Sequence, residues 1–223
     1  MQYEQISRAE IKYRAKDSLR GHWPMAIGAT VIVGILSGIF GSINARINFA
    51  LEMGGDGRLY LFDFLTQILA ICFISPLTLG ILSFFTKLSR NQFVELGEIF
   101  NKYKTIWLKS IGLNLWVSLK ILLWSLLLLI PGIIAAISYS MAFYIMAEDE
   151  QVGINQAVEI SKVMMQGYKM QYFVMQLSFI GWAILCAIPC FLGYLWLVPY
   201  MQTTYANFYN KVSANYRANF MQN

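Results

Sequence analysis

Long apolar tracts alternate along the chain with short polar segments that carry most of the charged residues. Each tract has about the length of a membrane-spanning helix, because about 20 apolar residues cross a hydrocarbon layer about 30 Å thick. The six spans predicted in this way are 23–45, 62–86, 107–130, 132–147, 172–188 and 190–208. The pattern therefore predicts an all-α fold, a polytopic membrane helical bundle.

The tract from Ile106 to Ala147 is too long to cross a bilayer once. As a single helix it would extend about 63 Å, roughly twice the hydrocarbon thickness. Pro131 lacks the amide donor of a continuing helix, and Gly132 tolerates the backbone angles of a tight reversal. The chain is predicted to turn at these two residues, and a second short turn is predicted at Pro189.

An amphipathic stretch precedes each predicted hairpin. The first begins with Ser7–Glu10 (SRAE), which fits a capping box at a helix amino terminus. Apolar residues in each stretch recur at helical spacing and share one face. These faces are Ile11, Ala15 and Leu19; then Phe93, Leu96, Ile99, Phe100 and Tyr103; then Ile154, Ala157, Val158, Ser161 and Met164 or Met165. The expected plan is six spans as three hairpins, each preceded by a cytoplasmic amphipathic helix.

These boundaries predict a single integral membrane domain over residues 1–223. Its segments are a cytoplasmic amphipathic helix at 1–22, a first hairpin at 23–86, an amphipathic segment and second hairpin at 87–147, an amphipathic helix and third hairpin at 148–208, and a cytoplasmic tail at 209–223. The fourth and fifth spans are close to the lower limit of about 17 residues. Four spans with two re-entrant hairpins are therefore the alternative topology.

Composition and charge agree with a membrane location. Hydrophobic residues make up 57% of the chain and charged residues 13%, and the mean hydropathy is +0.52. The six-span plan places 14 of the 17 Lys and Arg residues on the side of the amino terminus, and only Arg46 and Arg58 opposite. This asymmetry predicts that both termini are cytoplasmic. The basic residues lie beside apolar tracts, so the net charge of +5 does not indicate nucleic-acid binding.

The sequence contains little that resembles an active site. Its one histidine, His22, lies at a predicted membrane interface, and no HExxH or GxSxG motif is present. Glu148, Asp149 and Glu150 could hold a divalent cation, although acidic residues are also favoured at the start of a helix. Three cysteines, Cys72, Cys186 and Cys190, lie in apolar tracts without His or acid beside them. We expect no catalytic residues, no metal and no cofactor.

Lys120 is the charged residue predicted to lie deepest in the bilayer. A charge at that depth costs at least about 2.5 to 3.5 kcal/mol, so a partner or a wet cavity is expected. Neutral polar groups on the neighbouring predicted spans could form a cytoplasm-facing cavity around it. They are Asn114, Ser118, Tyr139, Tyr144, Gln176, Gln202 and Thr203. Such a cavity would suit an anionic headgroup or a small anionic substrate; alternatively Lys120 snorkels and the polar groups tie helices together.

Two further surfaces are candidates for binding. Basic residues on the amphipathic segments could contact lipid phosphates, or these segments could form a platform for a cytoplasmic partner. The basic set is Arg8, Lys12, Lys16, Arg20, Lys102 and Lys104. Gly34 and Gly38 form a GxxxG motif in the first span, which favours close helix packing within the chain or in a homodimer.

Three sequence runs carry a family resemblance: LLLLIPGIIAAISYSMAFYIMAED at 126–149, AVEISKVMMQGYKMQYFVMQLSFIGW at 157–182 and YLWLVPYMQTTYANFY at 194–209. The chain resembles multi-pass membrane proteins of Gram-positive bacteria catalogued as domain of unknown function nine-seven-five. That family is distantly similar to the membrane part of some glycerophosphodiester phosphodiesterases. The resemblance implies a helical bundle in the bacterial plasma membrane without a catalytic domain.

These observations together predict a non-enzymatic plasma-membrane protein, an accessory or scaffold protein that contacts membrane lipids and a membrane partner. One alternative is a small transporter or lipid-handling protein that uses the cavity around Lys120. Another is an immunity protein that binds a membrane-active peptide within the bilayer.

Overall fold

A computed structural model describes residues 6–54, 56–187 and 193–221, with side chains to 219. Within these ranges the chain forms ten α-helices and no strand. They are α1 Arg8–Leu19, α2 Trp23–Glu52, α3 Arg58–Ser89, α4 Glu98–Thr105, α5 Trp107–Leu127, α6 Leu129–Tyr139, α7 Ala142–Glu148, α8 Ile154–Met164, α9 Lys169–Ala187 and α10 Tyr194–Met221. The all-α prediction is confirmed.

Four helical segments of the described chain are long and apolar enough to cross a membrane. They are Trp23–Glu52, Arg58–Ser89, Trp107–Leu127 and Leu129–Glu148. They contain the first, second and fourth predicted spans, whereas the third predicted span, 107–130, is interrupted because α5 ends at Leu127. The last segment combines α6 with α7. The predicted turn at Pro189, between α9 and α10, lies outside the described residues. The chain is thus a helical protein with four candidate spans.

The hydrophobic core lies towards one end of these long helices. The first half of α3 exposes apolar side chains such as Phe62 and Phe64, whereas Ser75 and most of the residues after it in α3 are buried. Helix α2 has 30 residues, a length of about 45 Å, and most of its surface is exposed. Because water would not tolerate so much exposed apolar surface, lipid or another apolar partner must cover these segments.

Aromatic rings pack against one another in the core between α7, α9 and α10. The ring centroids of Tyr144 and Tyr209 lie 5.1 Å apart, and those of Tyr172 and Phe208 lie 5.2 Å apart. Such pairs contribute about 0.5 to 1.5 kcal/mol beyond the burial of their surface. The rings fix α10 against the shorter helices and hold the polar end of α10 beside α7.

The break between α5 and α6 lies at Leu128, three residues before the predicted turn. Leu128 is extended, with φ −164° and ψ 147°, while Pro131 and Gly132 belong to the first turn of α6. Proline is well tolerated in a first turn because amides there have no intrahelical acceptor. A Cβ on Gly132 would lie 2.2 Å from Ser125 Oγ, so Gly132 allows α5 and α6 to approach. The prediction of a turn at Pro131 and Gly132 was wrong for this reason.

All three amphipathic segments contain a helix. In α8 the predicted apolar face is largely buried, with Ala157 and Val158 at 0% exposure. Ser161 Oγ also donates to Ser138 O over 2.7 Å, which satisfies a carbonyl next to the break between α6 and α7. Helix α4 begins only at Glu98, and Phe93 is 81% exposed, so Phe93 does not share the predicted face.

Glycines lie both at a close contact between two helices and on a helix face that no described residue covers. A Cβ on Gly80 of α3 would lie 1.9 Å from Ile99 O of α4, so the two backbones touch there. A Cβ on Gly34 or Gly38 would meet no described atom within 4 Å. The expectation that the GxxxG motif packs within the chain was therefore wrong for the described residues, and its face is open.

Candidate functional site

One carboxylate joins the ends of three helices. Glu148, the last residue of α7, accepts a hydrogen bond at Oε1 from Arg90 after α3 over 2.9 Å, and the same oxygen forms an ion pair with Arg217 of α10 over 3.2 Å. Its other oxygen, Oε2, accepts the hydroxyl of Tyr209 over 2.5 Å. Charge-assisted hydrogen bonds are stronger than neutral ones, so Glu148 is the centre of a well-connected polar cluster.

The same cluster extends to α1. Arg90 Nε donates to Asn210 Oδ1 over 2.9 Å, and Asn210 Nδ2 donates to Ser89 Oγ over 2.7 Å. Ser18 of α1 donates its hydroxyl to Ser89 O over 3.4 Å. These bonds fix the position of α1, and therefore of its basic residues, relative to α3 and α10.

A second group of ion pairs holds α4 in place. Lys102 Nζ lies 2.6 Å from Glu150 Oε1, and Lys109 Nζ donates to Glu150 O over 2.6 Å. Lys87 pairs with Glu98 over 2.7 Å. Burial opposes ionisation of Glu150, but the hydrogen bond and charge of Lys102 outweigh it and lower the pKa of this carboxyl.

The three adjacent acidic residues do not converge on a common point. Glu148 and Glu150 pair with different basic residues, and Asp149 Oδ1 accepts the amide of Gln151 over 2.9 Å. In the part of the chain that the structure describes, no group of three His, Cys, Asp or Glu residues could hold a metal ion. The arrangement ties helices together through separate ion pairs.

Two polar cavities lie on either side of Arg90. One, of about 270 Å³, is bordered by Arg14 and Glu10 of α1 and by Asn207 of α10. The other, of about 290 Å³, is bordered by Lys102 and by Glu148. In the second cavity three basic residues pair with three acidic ones, so its charges balance. In the first, Arg14 pairs with Glu10 and Arg90 pairs with Glu148 outside the lining, so basic residues outnumber acidic ones there.

A third cavity combines two amines with an aromatic wall. It has a volume of about 440 Å³, within the range of about 300 to 1,000 Å³ typical of ligand pockets. We call it the lysine groove, and its defining residues are Lys12, Lys16, Trp23, Trp182, Trp196 and Tyr200. Cys186 of α9 and Gly193 also line it, and a Cβ on Gly193 would lie 2.7 Å from Cys186 Sγ. Helices α9 and α10 therefore approach each other closely beside the groove.

The amines of the lysine groove have no acidic partner. Lys12 Nζ donates to Ser178 Oγ over 2.8 Å and lies 4.6 Å from the centroid of the Phe179 ring. Burial, with a smaller effect of Arg8, lowers the pKa of Lys12. Lys16 is exposed. Among the described residues, no carboxylate lies within 4.0 Å of either amine, so the groove is positively charged.

The residues predicted around Lys120 are dispersed. Lys120 Nζ lies over the rings of Trp116 and Tyr139, 4.9 Å and 5.9 Å from their centroids. Asn114 instead donates to Ser75 Oγ over 3.1 Å and accepts from Ser118 over 3.3 Å. Of the predicted cavity residues, the described contacts bring Tyr139 to Lys120.

The remaining predicted cavity residues take part in other contacts. Tyr144 stacks in the aromatic core, and Thr203 Oγ donates to the carbonyl of Pro199 in its own helix. Gln176 and Gln202 are half-buried on α9 and α10. Asp63, considered as an acidic partner for Lys120, has its Oδ1 buried without a described hydrogen-bond partner.

The predicted headgroup contacts divide into two groups. Arg8, Lys16, Arg20 and Lys104 are exposed. Lys102, by contrast, has a side chain only 12% exposed and paired with Glu150. Lys12 is half-buried in the lysine groove.

Sequence reasoning missed the Glu148 cluster. Arg90 and Tyr209 are 58 and 61 residues away from Glu148 along the chain, so no local pattern links them. The one available signal was an acidic residue directly after an apolar tract, which the sequence equally explains by the start of the next helix.

Comparison with known proteins identifies one family. A family model described as "Protein of unknown function (DUF975)" matches residues 126–216. No curated protein and no solved structure matches the chain. The matched region includes Glu148, Tyr209 and the α9 and α10 walls of the lysine groove, but it excludes α1 and Lys120. The family resemblance predicted from the sequence is confirmed over this region: residues 126–216 match the DUF975 family of proteins of unknown function.

Proposed function

We propose that the protein is a non-enzymatic accessory or scaffold protein of the bacterial plasma membrane that contacts anionic lipid headgroups and a membrane partner. It crosses the bilayer six times as three hairpins, with both termini in the cytoplasm. Four candidate spans and the family match support a membrane location. The fifth span is supported by a run of exposed apolar side chains on α9, namely Ile180, Trp182, Ile184 and Leu185.

Lipid contact is supported by the fixed position of exposed basic residues at one end of the molecule. We call this the charged end, because it contains the ion pairs of Glu148 and Glu150. The buried face of α1 and the hydrogen bond of Ser18 to Ser89 fix the helix that carries Arg8 and Arg20, and the ion pair of Lys102 fixes α4, which carries Lys104. Each basic residue near an anionic membrane surface contributes about 1 kcal/mol. Rigidly held basic residues at one end would therefore favour a leaflet rich in anionic lipid.

The experiment compares anionic and zwitterionic bilayers. The full chain is placed in nanodiscs of phosphatidylcholine, with or without phosphatidylglycerol, and its Tm is measured at low and high salt. Phosphatidylglycerol should raise the Tm at low salt, and high salt should reduce the gain because it screens exposed charges. An equal Tm in both bilayers at low salt contradicts the proposal.

Matched variants locate the effect. The variant Arg8→Gln/Arg20→Gln/Lys104→Gln should lose most of the gain. The control Arg46→Gln/Arg58→Gln removes exposed charges from the region around the α2–α3 connection and should retain the gain. An equal loss in both variants would show a general charge effect and would contradict contact at the charged end.

The open face of Gly34 and Gly38 supports a membrane partner, either a second copy or another protein. Small residues four apart allow close backbone approach, and no described atom occupies that space. The variant Gly34→Leu/Gly38→Leu should weaken self-association measured in bilayers without lowering the Tm of the monomer. Unchanged association would exclude this face as a homodimer contact.

A further inference from the structure

We propose that the lysine groove binds one anionic phospholipid, with the phosphate at Lys12 and Lys16 and the start of one acyl chain along Trp182 and Trp196. The inference rests on the proposed function, because it assigns a specific lipid class and a single site to a protein that contacts anionic lipid. It adds a site that differs from the exposed basic surface of Arg8, Arg20 and Lys104.

The charge of the groove selects an anion. Two amines border it, and no described carboxylate neutralises them. The position of Lys12 is fixed by its hydrogen bond to Ser178 and by the Phe179 ring. Because Lys12 is also partly desolvated, an anion beside it interacts more strongly than it would with a freely exposed lysine. The neighbouring Lys16 adds a second, mobile cation.

The wall of the groove fits the other end of a lipid. Trp182 and Cys186 lie on α9, one and two turns beyond Ser178, so the apolar part extends about 12 Å from the Lys12 contact. Tryptophan is favoured where apolar chains meet polar headgroups. At the far end Cys186 lies close to Gly193, where α9 and α10 approach each other. The groove thus has one cationic end and one apolar end, as an anionic amphiphile requires.

The surroundings favour a lipid over a soluble phosphate compound. Trp182 and Trp196 are 58% and 55% exposed, and Ile184 and Leu185 beside them on α9 are also exposed. An apolar surface of this kind must face acyl chains or another apolar partner. A small soluble anion would occupy only the amines and leave the aromatic wall uncovered. A lipid that enters from the bilayer covers both parts.

The test uses lipids with brominated acyl chains, which quench tryptophan at close range. The full chain is placed in phosphatidylcholine nanodiscs that contain equal small fractions of brominated phosphatidylglycerol or brominated phosphatidylcholine. General bilayer contact quenches equally with both lipids. A site in the groove predicts extra quenching by the anionic lipid that saturates at one lipid per protein.

Matched charge variants identify the residues. Lys12→Met/Lys16→Met should weaken phosphatidylglycerol binding about 30-fold, corresponding to about 2 kcal/mol from two lysines. The control Arg20→Met/Lys104→Met removes the same charge outside the groove and should retain the saturable quenching. Lys16→Glu changes one exposed side chain and places a carboxylate one helical turn from Lys12, where it can pair with that amine, so it should give a similar loss of binding in a folded protein.

The outcomes distinguish failure of the lipid site in the groove from failure of the proposed function. The proposal that the groove binds an anionic phospholipid is overturned if both lipids quench equally. It is also overturned if Lys12→Met/Lys16→Met binds phosphatidylglycerol as tightly as the unaltered protein. If phosphatidylglycerol still raises the Tm in that case, the general lipid contact of Arg8, Arg20 and Lys104 stands. Displacement of the brominated lipid by an equal concentration of inorganic phosphate would show that the groove selects a soluble anion, which also overturns the proposal.

Discussion

Glu148 joins α7 to α3 and α10 through its contacts with Arg90, Arg217 and Tyr209. The variant Glu148→Gln keeps the size of the side chain but removes the charge that Arg90 and Arg217 share. Hydrogen bonds to charged groups contribute about 1.5 to 3 kcal/mol, so we expect a loss of about 2 kcal/mol in the free energy of unfolding. Denaturation in detergent micelles measures it. The control Asp149→Asn, in an exposed position, should change stability by less than about 0.5 kcal/mol.

The lowered pKa of the Glu150 carboxyl leads us to expect that the stability of the protein depends on pH. Its pKa in the folded chain is below the ordinary value of 4.5. A lowered pKa gives stability that is present above that ordinary value and is lost as the pH falls through the folded-state pKa. The Tm should therefore decrease as the pH falls below 4.5, and Lys102→Met should reduce the slope. An identical slope in both proteins would exclude this pair as a source of the dependence.

Lys120 is expected to be dispensable for stability. Its two ring contacts contribute about 0.5 to 1 kcal/mol each, whereas a charge placed within a bilayer costs at least about 2.5 kcal/mol. Lys120→Met should therefore leave the Tm unchanged or raise it. A clear decrease in Tm would show that the amine has a compensating anionic partner.

Local chemistry was predictable from sequence at the residue scale, whereas distant partners were not. Ser7 caps α1 as predicted, because its hydroxyl accepts the amide of Glu10 three residues later. The roles of Arg90 and Arg217 depend on which helices meet at Glu148 and have no local signal. The lysine groove was missed for the same reason, since α1, α9 and α10 contribute to it from opposite ends of the chain.

At the scale of helices, two glycines on neighbouring spans have opposite roles. Gly80→Ala should destabilise the protein by about 1 to 3 kcal/mol, because the new Cβ would overlap Ile99 O in the backbone of α4. Gly41→Ala in α2, outside the proposed Gly34 and Gly38 contact, is the matched control and should be neutral or slightly stabilising, since its Cβ meets no described atom. Thermal unfolding of the two variants should therefore differ clearly, and equal Tm values would contradict the contact between α3 and α4.

Helical periodicity predicted which residues share a helix face better than it predicted where the helices begin and end. The face of α8 followed from its spacing, because a helix places residues three and four apart on one side. The break at Leu128 could not be predicted from proline and glycine alone. Pro131 fits the first turn of α6, and Gly132 is required for the contact with Ser125 on α5. Both residues serve the start of the helix and its packing.

At the scale of the whole molecule, the interhelical ion pairs and the buried core lie at the same end. The ion pairs of Glu148 and Glu150 lie beside the buried part of α3, while the exposed apolar parts of α2, α3 and α5 extend away from it. The length and hydropathy of the tracts were sufficient to predict a membrane bundle. The position of the core could not be predicted from them, because lipid-facing and buried spans are equally apolar.

The central claim is that α5 and the combined α6–α7 segment cross the membrane and return, so that Leu128 and the charged end lie on opposite sides. Single cysteines, Leu128→Cys or Gln151→Cys, are introduced after replacement of Cys72, Cys186 and Cys190 by Ala. A membrane-impermeant thiol reagent is then added to intact cells. The account predicts labelling of residue 128 from outside, and labelling of residue 151 only after the membrane is opened. Labelling of both residues from the same side would contradict it.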